Sequence, residues 1–225
     1  MQLQQKNKLP KPTYTNRKER NEYFLSLVEN HFKDITSICN VGGGGKRYLA
    51  SLEEKKIAKV TEIDFVGDND FNLNLDKIEK LPFADNTFDC TIALDVLEHL
   101  ENFHLISKEI VRVSKKYSFI SLPNSSQSFF PIFLNSKRKE DTSAGLYNKF
   151  YGLPVEIPLD RHRWFLTVGD IERYFLDFGK NNNCSIKFLR NENSSIVSKI
   201  IKFFLSKRLK KEFFTTWIWI IIKKN

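Results

Sequence analysis

The stretch from Ile38 to Asp64 constrains the fold of this chain more than any other. Residues 38–44 read Ile-Cys-Asn-Val-Gly-Gly-Gly, so an apolar run leads straight into glycines. A stretch typical of a helix follows, and a second apolar run ends at Asp64, twenty residues after Gly44. The pattern predicts two parallel strands joined by a helix, with the glycines and Asp64 at the carboxyl edge of a sheet. Glycine lets a ligand approach the backbone closely, and a carboxylate accepts hydrogen bonds from ribose hydroxyls. A cofactor that contains a nucleoside therefore suits this edge.

Strand and helix patterns alternate along most of the chain. Strand-like runs cover 36–41, 58–64, 87–94, 116–122, 184–190 and 213–222, and helical patterns cover 17–33, 46–55, 101–114 and 167–179. This order predicts an α/β fold with a doubly wound, mostly parallel, Rossmann-like sheet. Only six residues separate Asp64 from Phe71, too few for a crossover helix, so a third strand near 71–75 is expected to be vestigial. Thr167 and Gly179 are the expected N-cap and C-cap of the last helical pattern.

The chain's 225 residues suit one domain with additions. Residues 1–16 are polar and contain two prolines, which predicts a flexible basic arm. We expect 17–225 to form a single domain. Within it, the Pro-, Asn- and aromatic-rich stretch 123–165 lacks a steady period and is expected to be a lid or substrate insertion.

The net charge of +9 raises the question of an anionic partner. The basic residues concentrate near both ends of the chain, which favours basic tails over a nucleic-acid groove. The stretch 195–211 mixes apolar residues with Lys and Arg, so it is either a helix on an anionic membrane surface or a core helix with a basic face. The sequence leaves the oligomeric state open.

The remaining composition argues for a reducing compartment without a metal centre. Cys39 and Cys90 lie in apolar runs, and with Cys184 they make an odd number of thiols, so we expect core cysteines. No CxxC or HExxH spacing occurs, so no metal is expected. The polar amino terminus and the absence of a long apolar run favour a cytoplasmic protein, with the inner membrane surface as the alternative.

Three segments carry a resemblance to a known family. They are Asn-Val-Gly-Gly-Gly at 40–44, Leu-Pro-Phe-Ala-Asp-Asn-Thr-Phe-Asp at 81–89 and Leu-Asp-Val-Leu-Glu-His-Leu at 94–100. Over roughly 35–179 the chain resembles the class I S-adenosylmethionine-dependent methyltransferases. His-Arg-Trp-Phe at 162–165 is similar to the segment that precedes strand six in that family.

The resemblance implies S-adenosylmethionine as cofactor and a seven-stranded sheet whose last strand is antiparallel. It also implies a set of cofactor-binding residues: Gly42, Gly43, Gly44, Asp64, Phe65, Asp76, Leu94 and Asp95. In this set the glycines would let the backbone pass close to the methionine part of the cofactor. Asp64 would hold the ribose hydroxyls, and Phe65 would pack on the adenine. Asp76 would bind the adenine amino group, while Leu94 and Asp95 would lie beside the methionine amino group and the sulfonium.

Two residues depart from the family pattern. Asn40 stands where an acid is common, so it can hydrogen-bond an ammonium group without adding charge. Lys46 stands where a third glycine is common, and its charge would repel a sulfonium if it faced the cofactor. These departures keep a non-catalytic, methyltransferase-like binding module as an alternative.

Two histidines are the candidate catalytic residues. Methyl transfer is an in-line displacement, and a hydroxyl acceptor is helped by a base with a near-neutral pKa. His99 follows the fourth strand and is a candidate base, with loop capping as its alternative role; Asp95 and Glu98 could tune it or act as acids at a helix start. His162, between two arginines, could meet an anionic or sugar-like acceptor, or pack the lid onto the sheet.

The expected activity is therefore methyl transfer to a small-molecule, sugar or lipid-linked acceptor, at oxygen. A nucleic-acid methyltransferase is suggested by the charge. However, Leu-Asp-Val-Leu-Glu-His stands where amino-methylating nucleic-acid enzymes have an Asn-Pro-Pro-Tyr-like segment, so we expect no nucleic-acid partner. A nicotinamide oxidoreductase is disfavoured because Arg47 occupies the last glycine position of GxGxxG.

Overall fold

A computed structural model describes residues 9–44, 48–127, 156–157, 160–192 and 205–225. Its centre is a seven-stranded sheet in the order β3-β2-β1-β4-β5-β7-β6. The strands are β1 (Ser37–Val41), β2 (Lys59–Asp64), β3 (Phe71–Asn72), β4 (Phe88–Leu94), β5 (Ser114–Pro123), β6 (Cys184–Glu192) and β7 (Thr215–Lys224). The first five run parallel, and β7 pairs antiparallel with both β5 and β6. The Rossmann-like fold and its antiparallel last strand are thus confirmed.

Helices cover both faces of the sheet. They are α1 (Arg17–His31), α2 (Ala50–Glu54), α3 (Phe103–Val113), α4 (Val168–Asn181) and α5 (Lys207–Phe214), with a 3-10 turn at Leu97–His99. One buried cluster joins α3 and α4 to one face, and a second joins α1 and α2 to the other. Neighbouring residues of one strand, such as Ile38 and Cys39, enter opposite clusters because strand side chains alternate. The carboxyl ends of the parallel strands lie together at one end of the sheet, which is called the carboxyl edge below.

The region after β2 contains the vestigial third strand that the sequence predicts. β3 is two residues long and pairs parallel with the end of β2, through Ile63 with Phe71 and Asp64 with Asn72. The link between them contains no helix, because it is too short for one. The chain therefore enters β3 from the end of β2 without a crossover helix.

The two expected caps of α4 have different outcomes. Thr167 is the N-cap, since its side chain accepts a hydrogen bond of 3.1 Å from Asp170 N–H. Gly179 as C-cap is wrong, because the helix continues to Asn181. A Cβ on Gly179 would lie 2.5 Å from Ile186 Cγ1 and 2.9 Å from the Cys184 carbonyl oxygen. This glycine permits the close approach of α4 to β6 and does not end the helix.

The packed part of the chain begins before residue 17, the expected start of the domain. Tyr14 is buried, its carbonyl accepts a 2.6 Å hydrogen bond from Asn191 Nδ2, and its hydroxyl accepts one of 2.9 Å from Trp219 Nε1. Tyr14 therefore lies against β6 and β7, so this part of the expected arm is packed on the sheet. Residues 1–8 lie outside the described ranges, as do 128–155 and 158–159 of the expected lid, Gly45, and 46–47 of the expected second helix.

Cys39, Cys90 and Cys184 are buried free thiols, as expected of core cysteines. No helix within the described ranges is long and apolar enough to cross a membrane. Of the basic stretch 195–211, only 205–211 is described, and it forms the start of α5.

Candidate active site

The glycine loop, residues 42–44, follows β1 and packs against Val96, which lies just after β4. Gly42 has φ +78°, a conformation that side-chain-bearing residues rarely adopt, and its N–H donates to the Ile63 carbonyl at 2.7 Å. A Cβ on Gly42 would lie 2.5 Å from Val96 Cγ2. The backbone at Gly42 therefore packs directly against Val96, two residues after the end of β4. Gly44 also has a positive φ of +69°, but the space beside it is open.

Backbone groups hold the Asp64 carboxylate in place. Oδ2 accepts a 2.6 Å hydrogen bond from Gly44 N–H, and Oδ1 accepts from the N–H groups of Phe65 at 2.5 Å and Val66 at 3.1 Å. The Phe65 side chain is 67% exposed at this edge, which is unusual for an aromatic residue. A fixed carboxylate beside an exposed ring is suited to a ribose and a purine.

A buried carboxylate lies under the glycine loop, although Asn40 itself has no charge. Asn40 Nδ2 donates to Glu62 Oε2 at 2.7 Å, and Tyr48 donates its hydroxyl hydrogen to Asn40 Oδ1 at 3.1 Å. A Cβ on Gly43 would lie 2.2 Å from Glu62 Oε2, so Gly43 is required for this approach. Burial also raises the pKa of Tyr48 and keeps its hydroxyl protonated. The sequence analysis did not identify Glu62. The feature that could have indicated it is the presence of an acidic residue within the strand pattern of β2.

Asp95 is held by two partners at the end of β4. It has φ +54°, its N–H donates to the Ser121 carbonyl at 3.0 Å, and its Oδ1 accepts a 2.6 Å hydrogen bond from Ser121 Oγ. Its Oδ2 is ion-paired with Arg20 of α1, which is only 4% exposed. Arg20 is a second residue that sequence reasoning missed. The neighbouring Leu94 is buried in the core.

Asp76 contacts Asn102, the residue that precedes α3. Its Oδ1 accepts a 3.3 Å hydrogen bond from Asn102 N–H, and its carbonyl accepts one of 2.9 Å from Asn102 Nδ2. Asp76 therefore fixes the segment after β3 to the loop that follows β4. This placement leaves its expected role at the adenine a prediction.

His99 and His162 are brought together by a segment that lies far from β4 in the sequence. Arg163 N–H donates to the Glu98 carbonyl at 2.7 Å, and Trp164 Nε1 donates to the Leu100 carbonyl at 2.7 Å. These bonds attach residues 160–164 to the loop after β4. As a result, the His99 and His162 rings lie 4.7 Å apart, centroid to centroid, at 80°.

The hydrogen bonding of His99 defines its tautomer. Nδ1 lies 2.7 Å from Asp160 Oδ1 and 3.2 Å from the Arg161 carbonyl oxygen. Both atoms are acceptors, so Nδ1 carries the proton and Nε2 is the basic nitrogen of the neutral ring. Nε2 lies 3.8 Å from Glu98 Oε1.

Glu98 is the most buried ionisable group of this region. Its side chain is 1% exposed, and burial, followed by the negative charge of Asp95, holds its pKa well above that of an ordinary carboxyl. Its Oε2 has no hydrogen-bond partner among the described residues. The sequence analysis considered Glu98 only as a residue tuning His99 or as a helix-start acid.

Comparisons with known proteins agree with this geometry. Residues 39–122 match the family model for a methyltransferase domain. No curated protein matches the sequence significantly. The methyltransferase domain of bacterial CtHen1-CN superposes with a TM-score of 0.57 at 13% identity, covering 91% of this chain and 97% of that one.

Two further solved structures share the fold. The plantazolicin methyltransferase BpumL, in complex with a monoazolic desmethylPZN analog and SAH, gives a TM-score of 0.55 at 13% identity, covering 92% of this chain and 83% of that one. The small RNA methyltransferase HEN1 gives 0.55 at 15% identity, covering 97% of this chain and 26% of that one. At these identities the likeness extends to the fold.

Residues 39–122 thus match a methyltransferase domain, and the chain has the fold of S-adenosylmethionine-dependent methyltransferases. The residues at the carboxyl edge fit that cofactor, because the loop 42–44 leaves open space beside Gly44 and the Asp64 carboxylate is fixed next to it. The structure gathers Gly42, Gly43, Gly44, Asp64 and Phe65 at one edge, with Leu94 and Asp95 at the neighbouring strand. The individual roles of these residues, of Asp76 and of the two histidines stay predictions, and so does the expected absence of a metal.

Proposed function

We propose that this protein transfers the methyl group of S-adenosylmethionine to an oxygen atom of a small-molecule, sugar or lipid-linked acceptor. The observation that carries this proposal is the oriented imidazole of His99 at the end of β4. Its Nδ1 is held by Asp160 and the Arg161 carbonyl, which orients the ring so that Nε2 lies 3.8 Å from Glu98 Oε1. An oriented base of this kind suits a hydroxyl acceptor.

The cofactor half of the edge supplies alignment. Asp64 accepts hydrogen bonds from the ribose hydroxyls, Phe65 covers the adenine, and the loop 42–44 lets the methionine part pass close to the backbone. When bound, S-adenosylmethionine supplies an electrophilic methyl group on a positively charged sulfur. The acceptor oxygen would give its proton to His99 Nε2 and bond to the methyl carbon, while the electron pair of the broken carbon–sulfur bond would stay on sulfur.

The region around His162 favours a polar acceptor. Arg161 and Arg163 flank it, and Arg163 is ion-paired with Glu101 at 3.2 Å. Polar donors at this position would bind sugar or phosphate oxygens. The lid 123–165, which begins in β5 and ends in this segment, is the part of the chain expected to set specificity.

A second candidate is a nucleic-acid methyltransferase. It is favoured by the net charge of +9 and by the shared fold with the small RNA methyltransferase HEN1. It predicts RNA or DNA binding that weakens steeply with added salt. We place it second because the basic residues concentrate near the chain ends.

The first test is calorimetric titration with S-adenosylmethionine and S-adenosylhomocysteine, followed by transfer of a labelled methyl group to a panel of hydroxyl acceptors. We expect binding of both compounds and transfer to at least one acceptor class, with no binding of RNA or DNA oligonucleotides at low salt. A folded protein that binds neither compound would instead be a non-catalytic binding module. Salt-sensitive RNA binding together with RNA methylation would replace the proposed acceptor.

We also propose a cytoplasmic location with contact between 195–211 and an anionic membrane surface. Within the described part of this stretch, Leu209 is an exposed apolar residue among lysines. Sedimentation with vesicles of anionic and of neutral lipids tests the contact. Binding to anionic vesicles alone is expected, and equal recovery with both or with neither would contradict it.

A further inference from the structure

We propose that Glu98, His99 and His162 bind a divalent first-row transition-metal cation at the carboxyl end of β4. Their three ligand atoms, one carboxylate oxygen and two imidazole nitrogens, all lie within 4.8 Å of one another. Two ligand atoms that are each about 2.1 Å from a metal lie at most about 4.2 Å apart. The 3.8 Å between His99 Nε2 and Glu98 Oε1 already meets this limit, and a small side-chain rotation brings in the third ligand.

The type of ligand defines the kind of cation. Imidazole suits the divalent ions of iron, nickel, copper and zinc, and a carboxylate also suits manganese, whereas magnesium and calcium prefer all-oxygen sites. Two imidazoles and one carboxylate fill three positions, so a four- to six-coordinate ion keeps positions open for water or substrate oxygen. The expected absence of a metal rested on local spacing, and His162 is too far from Glu98 in the sequence for such spacing to reveal it.

The surroundings of His99 match those of a metal-bound imidazole. Metal-bound histidines usually donate their other ring N–H to a carboxylate or a carbonyl, which fixes the ring and makes the ligand nitrogen more basic. In this structure Asp160 Oδ1 and the Arg161 carbonyl accept at Nδ1, at 2.7 and 3.2 Å, and Nε2 points to Glu98. Asp160 thereby acts as a positioning residue for the cation site.

Glu98 supplies an independent observation. Its carboxylate is almost completely buried, and its Oε2 has no hydrogen-bond partner within the described ranges. A buried polar oxygen without a partner is costly, and a carboxylate more so, unless a cation or a donor compensates it. A metal ion placed between Glu98 and the two imidazoles provides this compensation after a small side-chain rotation.

The cation also explains how an acceptor would be activated, and this step rests on the proposed function. An acceptor hydroxyl that occupies an open position on the metal loses its proton more easily, because the cation stabilises the alkoxide. The proton passes to water, and the bound oxygen becomes the nucleophile for the methyl group. In this arrangement His99 serves as a ligand, and the acceptor class narrows to molecules with hydroxyl or other oxygen ligands, such as a sugar diol.

The test is calorimetric titration of the full chain, stripped with a chelator, with manganese, zinc and magnesium chlorides in the absence of S-adenosylmethionine. We expect one site per chain for manganese or zinc and much weaker magnesium binding. Glu98→Gln and His162→Gln should each weaken binding at least tenfold, as losses at metal sites do, and Asp160→Asn by a smaller factor. His31→Gln is the matched control, since this exposed histidine at the end of α1 belongs to neither segment that forms the site.

Circular dichroism and S-adenosylhomocysteine binding verify that each variant is folded. No metal binding by the folded wild type, or equal binding by Glu98→Gln and His162→Gln, would overturn the site. Metal binding without any methyl transfer would leave the site in place and contradict the proposed function. Methyl transfer that the chelator does not reduce would remove the activating role of the cation.

Discussion

The two halves of the carboxyl edge are built in different ways. In the cofactor half, backbone N–H groups and glycines shape the site: Asp64 is held by the amides of Gly44, Phe65 and Val66. In the acceptor half, side chains from two distant segments make the site, because residues 160–164 are attached to the loop that carries Glu98 and His99.

This difference determines what each half tolerates. A backbone-built site depends on local conformation, so a glycine replacement or the loss of one carboxylate damages it directly. A side-chain site depends on docking, so it changes when residues 160–164 separate from the β4 loop. We therefore expect cofactor binding and cation binding to respond to different substitutions.

The largest expected effect is at the junction of the two halves, where Arg20 of α1 is ion-paired with Asp95. Arg20→Ala leaves the partly buried Asp95 carboxylate without its cation, which we expect to lower the free energy of unfolding by about 3–5 kcal/mol. Urea denaturation measures the change. Lys18→Ala, at an exposed position of the same helix, is the control and should change stability by less than about 0.5 kcal/mol. Equal losses in both variants would show that the pair has no special role.

The next effect concerns cofactor affinity. Asp64→Ala removes the proposed acceptor for the ribose hydroxyls, and charged hydrogen bonds of this kind contribute about 1.5–3 kcal/mol each. We expect the affinity for S-adenosylhomocysteine to fall about a hundredfold or more in a calorimetric titration, with manganese affinity unchanged. Asp68→Ala, in the exposed loop after β2, is the control. A matching loss of manganese affinity would contradict the independence of the two halves.

Two glycines of the same loop allow a finer test. Gly42→Ala places a methyl group against Val96 and forces an alanine into φ +78°, so we expect a stability loss of about 1–3 kcal/mol. Gly44→Ala adds a methyl group in open space, so its stability loss should be smaller, while its cofactor affinity falls because the methyl group occupies the approach to the loop. Thermal denaturation and titration of both variants measure the two effects. The reverse ranking would show that the open space does not belong to the cofactor site.

A double-mutant cycle with Val96→Ala separates the two causes at Gly42. The clash predicts that part of the stability lost in Gly42→Ala is recovered in the double variant, and the backbone conformation predicts that part remains. Full additivity would mean that Val96 does not limit this position.

The same difference explains which features the sequence made predictable. The glycine loop, Asp64 and the short β3 depend on neighbours in the chain, and local pattern therefore found them. The pairing of His99 with His162 depends on Arg163 and Trp164 meeting the β4 loop, which no local period encodes. Gly179 was misplaced for the same reason, since its role is the contact of α4 with β6.

The N-terminal segment shows a related limit. Residues 9–16 are polar in pattern, so they were expected to be flexible, yet Tyr14 packs on Trp217 and Trp219 of β7. Its partners come from the opposite end of the chain, so the pattern of the first residues could not indicate its burial. Glu62 was hidden differently, because only the β1–β2 register places it beside Asn40.

The smallest expected effect concerns residues 81–85, which Glu109 and Arg112 of α3 hold in place before β4. Glu109 of α3 accepts hydrogen bonds from Leu81 N–H at 2.7 Å and from Arg112, whose other contacts include Asp85 Oδ1 at 2.7 Å. Burial alone raises the pKa of Glu109, but these hydrogen bonds outweigh it and lower the pKa below that of an ordinary glutamate. Glu109 thus fixes the segment leading into β4 through its charged form.

Because the folded-state pKa of Glu109 is lowered, its contribution is present above the unfolded pKa of about 4.3 and is lost as the pH falls through the folded value. Glu109→Gln should therefore lower the free energy of unfolding by about 1–2 kcal/mol at pH 7 and by less at pH 3. Urea denaturation of both proteins at the two pH values measures the difference. A difference that stays constant would assign the effect to packing, and a loss of cofactor affinity in this variant would show that the two halves share this support.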